Sequence, residues 1–93
     1  MFELYFRPKA FRILEKIERK IQLEINVILN NLKLGKFENY NIKKIRSTKN
    51  GYRLRLRRWR ILFALFRSEK KIEIVDIFLR KGKGDYSKKR KLF

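Results

Sequence analysis

The sequence of 93 residues contains neither cysteine nor histidine. The lack of cysteine excludes disulfides, and the lack of both residues excludes zinc sites built on thiolate or imidazole ligands. Acid–base catalysis by an imidazole is excluded for the same reason. We therefore expect no metal and no cofactor. The missing cysteines also fit a reducing compartment, and we expect the protein to be cytoplasmic.

Long apolar runs are also missing. None approaches the roughly 18 residues that a membrane-spanning helix requires. Residues 1–7 lack the basic start and the long apolar stretch of a signal peptide, so we expect no membrane insertion. Hydrophobic residues nevertheless make up 44% of the chain and aromatic residues 14%, which argues against disorder. The length allows one core, and we expect a single domain over residues 1–93.

Acidic residues are scarce, and the scarcity is uneven along the chain. The sequence has 27 lysines and arginines against 9 acidic residues, a formal net charge of +18. Residues 1–42 hold eight basic and five acidic side chains, whereas residues 43–93 hold nineteen basic and four acidic ones. Such self-repulsion destabilises a compact protein unless a partner neutralises it. The expected partner is RNA, DNA or an acidic protein.

The order of hydrophobic patterns predicts an α+β fold. Residues 1–7 alternate like a strand, and apolar residues then recur at helical spacing from Ala10 to Leu32. This helical segment is either one helix or a helix hairpin with a break near Ile17–Arg19, where no glycine or proline decides between them. Strands are expected at 43–46, in the run before Arg57, at 59–67 and at 71–80, and the last is either a central strand covered on both faces or a strand with a bulge near Val75. The prediction is an antiparallel sheet of three or four strands covered by the helical segment.

The most informative segment is the hairpin at 51–63. A two-residue turn at Arg57-Arg58 would place Arg55 opposite Arg60. Arg53 would then share a sheet face with this pair, while the other face carries the residues expected in the core under the helices: Leu54, Leu56, Trp59, Ile61 and Phe63. Since arginine disfavours positive φ, the loop could instead be longer than two residues. The face left open collects guanidinium groups, which bind phosphate well.

Three segments together resemble the RelE/ParE toxin superfamily. They are Arg7-Pro-Lys-Ala10, Tyr52-Arg-Leu-Arg-Leu56 and Trp59-Arg-Ile-Leu-Phe63. The resemblance implies a toxin of a toxin–antitoxin pair, and features of both the RelE-like and HigB-like branches are present. RelE-like members cleave mRNA, usually in the ribosomal A site, whereas ParE-like members poison DNA gyrase. The implied partners are an acidic antitoxin protein, mRNA and the ribosome.

The resemblance also implies a metal-independent endoribonuclease site. The matching positions are filled by Arg53, Arg55, Arg60, Arg80 and Tyr86. In this interpretation the arginines hold and stabilise the reacting phosphate, and Tyr86 stacks on a base or assists proton transfer. Phe78-Leu79 departs from the family pattern before the late arginine, which leaves the position of Arg80 the least certain.

Further basic residues are expected to add salt-sensitive affinity for RNA. They are Arg57, Arg58, Lys81, Lys83, Lys88, Lys89 and Arg90. The last of these belong to a basic tail at about 87–93, which by composition is expected to be disordered. Two readings other than the nuclease stay open: a ParE-like toxin that does not cleave RNA, and a simple RNA-binding module. In the plainest alternative, Arg53, Arg55 and Arg57 are only the solvated face of an amphipathic strand.

Overall fold

The structure, a computed structural model, describes residues 1–81 and 89–93. Its elements confirm the predicted α+β class. In chain order they are β1 (Glu3–Phe6), α1 (Pro8–Lys16), α2 (Arg19–Lys33), β2 (Asn41–Lys44), β3 (Gly51–Leu56), β4 (Trp59–Phe66), β5 (Lys71–Leu79) and a 3-10 turn (Lys89–Leu92). Neither α-helix has the length and apolar character needed to cross a bilayer, as judged on the residues described.

The helical segment is a helix hairpin rather than one helix. Ile17 adopts extended backbone angles, φ −74° and ψ 147°, and ends α1. The break has a local polar support, because the side-chain amide of Gln22 donates to the carbonyl of Leu14 at 2.9 Å. That carbonyl lies in the last turn of α1, where helical partners run out. The buried side chain of Ile17 packs into the core at the corner, which stabilises a break that has neither glycine nor proline.

Five strands form one sheet in the order β1-β5-β4-β3-β2. Strands β2 to β5 make the predicted antiparallel meander, and β1 adds to its edge in parallel with β5. The bulge is also confirmed. Leu62 pairs with Asp76 and Phe63 with Ile74, so the intervening Val75 has no partner on β4. As a result, Val75 and Asp76 both lie on the same side of the sheet.

Both helices pack on one side of the sheet, here called the helix-covered face. Leu54, Ile61 and Phe63 contribute to this core as predicted, and Leu56 and Trp59 pack against it while partly exposed. The opposite side, here called the second face, holds a smaller apolar cluster. It comprises Ile45, Leu62, Ala64 and Val75, with Phe66, Phe78 and Phe93 packed against it. The expectation that the second face is open throughout is therefore wrong, because the end of the chain covers part of it.

Candidate functional site

The predicted hairpin register is confirmed. Strands β3 and β4 pair Arg55 with Arg60 and Arg53 with Leu62, so Arg53, Arg55 and Arg60 lie on the second face; we call them the arginine cluster. Arg55 is exposed, Arg53 is half-buried and Arg60 is only 4% exposed. The cluster therefore runs from the solvent into the protein. A phosphate arriving from solvent would meet Arg55 first.

Arg60 is fixed by the backbone of the hairpin turn. Its Nη1 donates to the carbonyls of Arg57 and Trp59, each at 2.9 Å. The turn has the two residues predicted, and Arg57 takes the positive φ of 57° that the turn demands. Among the contacts between described residues, Arg60 uses Nη1 for these two bonds, and its guanidinium carries three further N–H groups on Nε and Nη2. The positive charge of Arg60 is thus held in one place.

The side chain of Arg57 points to the helices instead of the arginine cluster. Its Nε and Nη2 donate to the two carboxylate oxygens of Glu24 on α2, at 3.1 and 2.9 Å. These hydrogen bonds lower the pKa of Glu24 and raise the pKa of Arg57. The contact is bidentate, the geometry in which arginine and carboxylate pair best. The turn is therefore attached to α2, although Arg57 was predicted as an RNA-binding residue.

Arg80 reaches the same end of the sheet as the arginine cluster. Its backbone N–H donates to the carbonyl of Arg58 at 2.8 Å, and the preceding Leu79 pairs with Trp59. The chain is thereby held next to the hairpin turn. The main chain thus reaches the hairpin turn, although Phe78-Leu79 departs from the family pattern. Lys81 follows and is exposed, whereas the predicted positions Lys83, Tyr86 and Lys88 lie outside the described residues.

Residues 89–93 contradict the expectation of a disordered basic tail. Lys89 Nζ lies 2.6 Å from Asp76 Oδ2 and 4.3 Å from the ring centroid of Phe78. Phe93 packs on the apolar cluster of the second face. The basic composition of residues 89–93 did not indicate this packing. The segment nevertheless ends in the apolar pair Leu92-Phe93, and Lys89 pairs with the buried carboxylate of Asp76. Arg90 is exposed, whereas the ammonium of Lys89, a predicted RNA-binding group, is paired with Asp76.

A basic residue beside the arginine cluster was missed. Lys43 on β2 pairs with Arg53 on β3, and partners in register point to the same side of a sheet. Lys43 is exposed and extends the positive charge of the arginine cluster across a third strand. The short strand was predicted, but the irregular turn at 45–50 hid its register. Alternation within β2 would have suggested Lys43 only once that register was known.

The site offers fixed positive charge and hydrogen-bond donors for a phosphate. Glu73 also lies on this face and pairs with Arg7, and the buried Asp76 accepts the backbone N–H of Ile77 through Oδ1 and pairs with Lys89 through Oδ2. Both carboxylate oxygens of Asp76 therefore already have partners within the protein. Within residues 1–81 and 89–93, no group of three or more acidic side chains could hold a metal ion. The described chemistry is electrostatic, because arginine stays protonated at any physiological pH.

The fold agrees with that of known RelE toxins. The isolated Escherichia coli RelE toxin superimposes with a TM-score of 0.71 at 16% identity, covering 98% of this chain and 97% of that one. RelE of the RelB–RelE antitoxin–toxin complex from Methanococcus jannaschii gives 0.71 at 20% identity, covering 82% and 90%. The RelE–RelB complex from Pyrococcus horikoshii gives 0.68 at 20%, covering 88% and 98%.

These likenesses concern the fold, which is that of the RelE toxins. No protein-family model matches the sequence. No curated protein matches it significantly either.

Proposed function

We propose that this protein is the toxin of a toxin–antitoxin pair and that it cleaves mRNA on the ribosome through the arginine cluster. The observation that carries the proposal is the hairpin register, in which Arg55 lies directly opposite Arg60 with Arg53 on the same face. The RelE fold supports it, since the structural neighbours are RelE toxins and their complexes with RelB antitoxins. The match of the cluster to the RelE-like motif adds to this support.

The arginine cluster suits one phosphate. Cβ atoms of directly opposed residues lie roughly 4.5–5.5 Å apart, so Arg55 and Arg60 can reach the same group. Arg55 and Arg53 would bind the RNA backbone from the exposed side and favour ionisation of the 2′-hydroxyl. Arg60, buried and held by two carbonyls, would supply charge that does not have to reorganise during the reaction. Such preorganised charge is usually the largest electrostatic contribution to catalysis.

In the proposed reaction the 2′-hydroxyl gives its proton to water and its oxygen bonds to the adjacent phosphorus. The bond from phosphorus to the 5′-oxygen breaks, which leaves a 2′,3′-cyclic phosphate and a 5′-oxygen that takes a proton from water. Arginine cannot accept the proton because its pKa exceeds about 12. The arginine cluster acts instead by favouring the ionised 2′-oxygen and by stabilising the charge on the pentavalent phosphate. Arg80 would stabilise the leaving 5′-oxygen, and Tyr86 would stack on a base or assist the proton transfer.

The ribosome enters the proposal for a physical reason. Without an efficient acid–base pair, cleavage depends on the 2′-oxygen being aligned with the bond that breaks. Alignment of this kind is worth several kcal/mol in well-oriented systems, roughly 7–11 at best. An mRNA held in the ribosome is already ordered. The remaining predicted RNA contacts, Arg58, Lys81, Lys83, Lys88 and Arg90, would add non-specific affinity that falls as salt rises.

The proposed protein partner is an acidic antitoxin. The net charge of +18 calls for neutralisation, and the second face carries its arginine cluster beside the exposed Lys43. An antitoxin with an acidic segment over this face would inhibit cleavage by competing with RNA. Such an interface weakens with salt because much of its attraction acts between exposed charges. Co-purification at low and high salt from cells that express the neighbouring genes would identify it.

Single-turnover cleavage of mRNA in a translation reaction, read by primer extension with saturating protein, tests the activity. Arg55→Ala should lower the rate by about 10²–10³, the loss typical of one transition-state electrostatic contact. Arg55 is exposed, so the variant should fold. Arg67→Ala is the matched control, because Arg67 is also exposed but lies beyond the opposite end of β4. Equal rates for both variants would leave the cluster without a catalytic role.

Failure of the wild-type protein itself would have a different meaning. If it cuts no RNA but inhibits DNA gyrase, the ParE-like alternative replaces the nuclease. If it does neither and only binds RNA, it is a binding module.

A further inference from the structure

The hairpin turn is held from three sides at once. The Arg57 side chain pairs with Glu24 of α2, the Arg57 carbonyl accepts from Arg60 Nη1, and the Arg58 carbonyl accepts from the Arg80 N–H. Two of these contacts hold residues of the proposed site. The third joins the turn to the helix layer on the other side of the sheet. The turn therefore sits between α2 and the proposed chemistry.

From this arrangement we propose that Glu24 is a positioning residue for the arginine cluster, acting through Arg57 and the carbonyls of the hairpin turn. Glu24 would hold the turn in the geometry that fixes the Arg60 guanidinium and the Arg80 main chain. The proposal rests on the proposed function for its consequence in cleavage. Its structural content, that the ion pair orders the turn, can be tested without any activity.

The backbone conformation of the turn explains why the turn needs the ion pair with Glu24. Arg57 has a φ of 57°, in the left-handed region that is strained for a residue with a side chain. Glycine would adopt this φ freely, yet the chain has arginine there. A strained turn without support would sample other conformations, and each would displace the carbonyl that holds Arg60. A bidentate pair restrains the same residue that carries the strain.

The geometry of the ion pair distinguishes it from an ordinary surface pair. Exposed pairs usually contribute little because two long side chains must be ordered for a weak attraction. Here the two guanidinium N–H groups meet both carboxylate oxygens, at 3.1 and 2.9 Å, which restricts orientation as well as distance. Its partners are 33 residues apart in the sequence. The pair therefore links two layers, and its effect on position should exceed its effect on stability.

A double-mutant cycle in the full chain separates this role from others. Glu24→Gln removes the charge and keeps the size, and should lower the single-turnover rate about ten- to a hundredfold, as small displacements of catalytic groups do. The protein concentration that gives half the maximal rate should stay unchanged, because the exposed Arg55 still binds RNA. Glu15→Gln is the control, since Glu15 is exposed on α1 and should leave the rate unchanged.

The second arm of the cycle uses Arg57→Gly. Glycine accepts the positive φ but cannot pair with Glu24, so Glu24→Gln should have no further effect in this background. An equal loss in both backgrounds would mean that Glu24 acts by another route. An unchanged rate for Glu24→Gln in the arginine background, or a fall in thermal stability alone, would mean an ordinary surface ion pair. Either result overturns the proposal.

Amide hydrogen exchange provides the readout that does not depend on cleavage. The Arg80 N–H, bonded to the turn at 2.8 Å, should exchange at least several-fold faster in Glu24→Gln than in wild type and in Glu15→Gln. If wild-type protein cuts no RNA but the exchange changes as expected, the proposed function fails and the positioning role stands. If Arg80 exchanges equally in all three proteins, Glu24 does not order the turn.

Discussion

On the helix-covered face, Leu54 and Ile61 are fully buried and Phe63 is 1% exposed, beneath two helices. On the second face the same strands present a gradient. Along β4 it runs from Arg60 near the hairpin turn through Leu62 and Ala64 to Phe66. The arginine cluster lies at the turn end, and the smaller apolar cluster extends from Phe78, opposite Arg60, to Phe66 at the other end of β4. One face is therefore a uniform core, whereas the other divides into a polar site and a small apolar cluster.

The two faces differ because they are covered by different parts of the chain. The helices cover their side of the sheet with apolar residues, and Lys44 lies on that side at the edge strand β2, beside Tyr52. The second face is covered by the last residues of the chain, of which Phe93 packs on its apolar end. Charged groups can persist where they are exposed or find partners. The unequal cover permits an arginine cluster on the second face.

The largest expected loss of stability comes from a substitution on the helix-covered face. Phe63→Ala should lower the free energy of unfolding by about 3–5 kcal/mol, because a fully buried aromatic ring is removed and a cavity remains. The ring also stacks on Tyr52, with centroids 5.7 Å apart. Urea denaturation followed by circular dichroism measures the change. A loss below about 1 kcal/mol would show that the helices do not pack on this ring.

Next in size is the charge pair that joins the chain end to the second face. Lys89→Met should cost about 1–3 kcal/mol, because Asp76, 3% exposed, keeps a buried charge without its cation. Lys91→Met, at an exposed position of the same turn, should change nothing measurable. The double variant Lys89→Met with Asp76→Asn should regain stability. A double variant no better than Lys89→Met alone would mean that Asp76 and Lys89 are not coupled.

A smaller loss should follow from Phe93→Ala. The ring is partly buried and packs on Ile45, Leu62, Ala64 and Val75, so we expect about 1–2 kcal/mol, less than for a fully buried phenylalanine. Thermal unfolding of the full-length variant gives the value. An unchanged melting temperature would mean that residues 89–93 form the disordered tail that their composition suggests and that the second face is open.

The smallest expected effect is a dependence of stability on pH. The pKa of Glu24, ordinarily 4.5, is lowered mainly by its hydrogen bonds to Arg57. Its stabilising contribution is therefore fully present above the ordinary value and is lost as the pH falls through the lowered one. Lys20 also lowers this pKa and stays charged throughout. The stability difference between wild type and Glu24→Gln should be constant from pH 8 to about pH 5 and should shrink in more acidic solution. A difference that grows on acidification would contradict the pairing.

The sequence alone determined what depends on local pattern. Alternation in 53–56 and 59–63 placed the arginines and the core residues on opposite faces, and the spacing of the turn predicted that Arg55 faces Arg60. Helical spacing predicted the segment from 10 to 32, and the loss of alternation within 72–79 indicated either a strand covered on both faces or the bulge observed at Val75. These features follow from the strand period of two and the helical period of 3.6, so neighbours in sequence suffice to predict them.

Tertiary structure decided what depends on residues far apart in the chain. Glu24 meets Arg57, Asp76 meets Lys89, and Lys43 joins the arginine cluster through the pairing of β2 with β3. It also decided that β1 pairs in parallel with β5 and that Phe93 covers the second face. Charges and apolar groups have many possible partners in a sequence this basic. The partners are decided only in the folded chain. The arrangement with the lowest free energy is the one that both pairs the buried acid and covers the apolar surface.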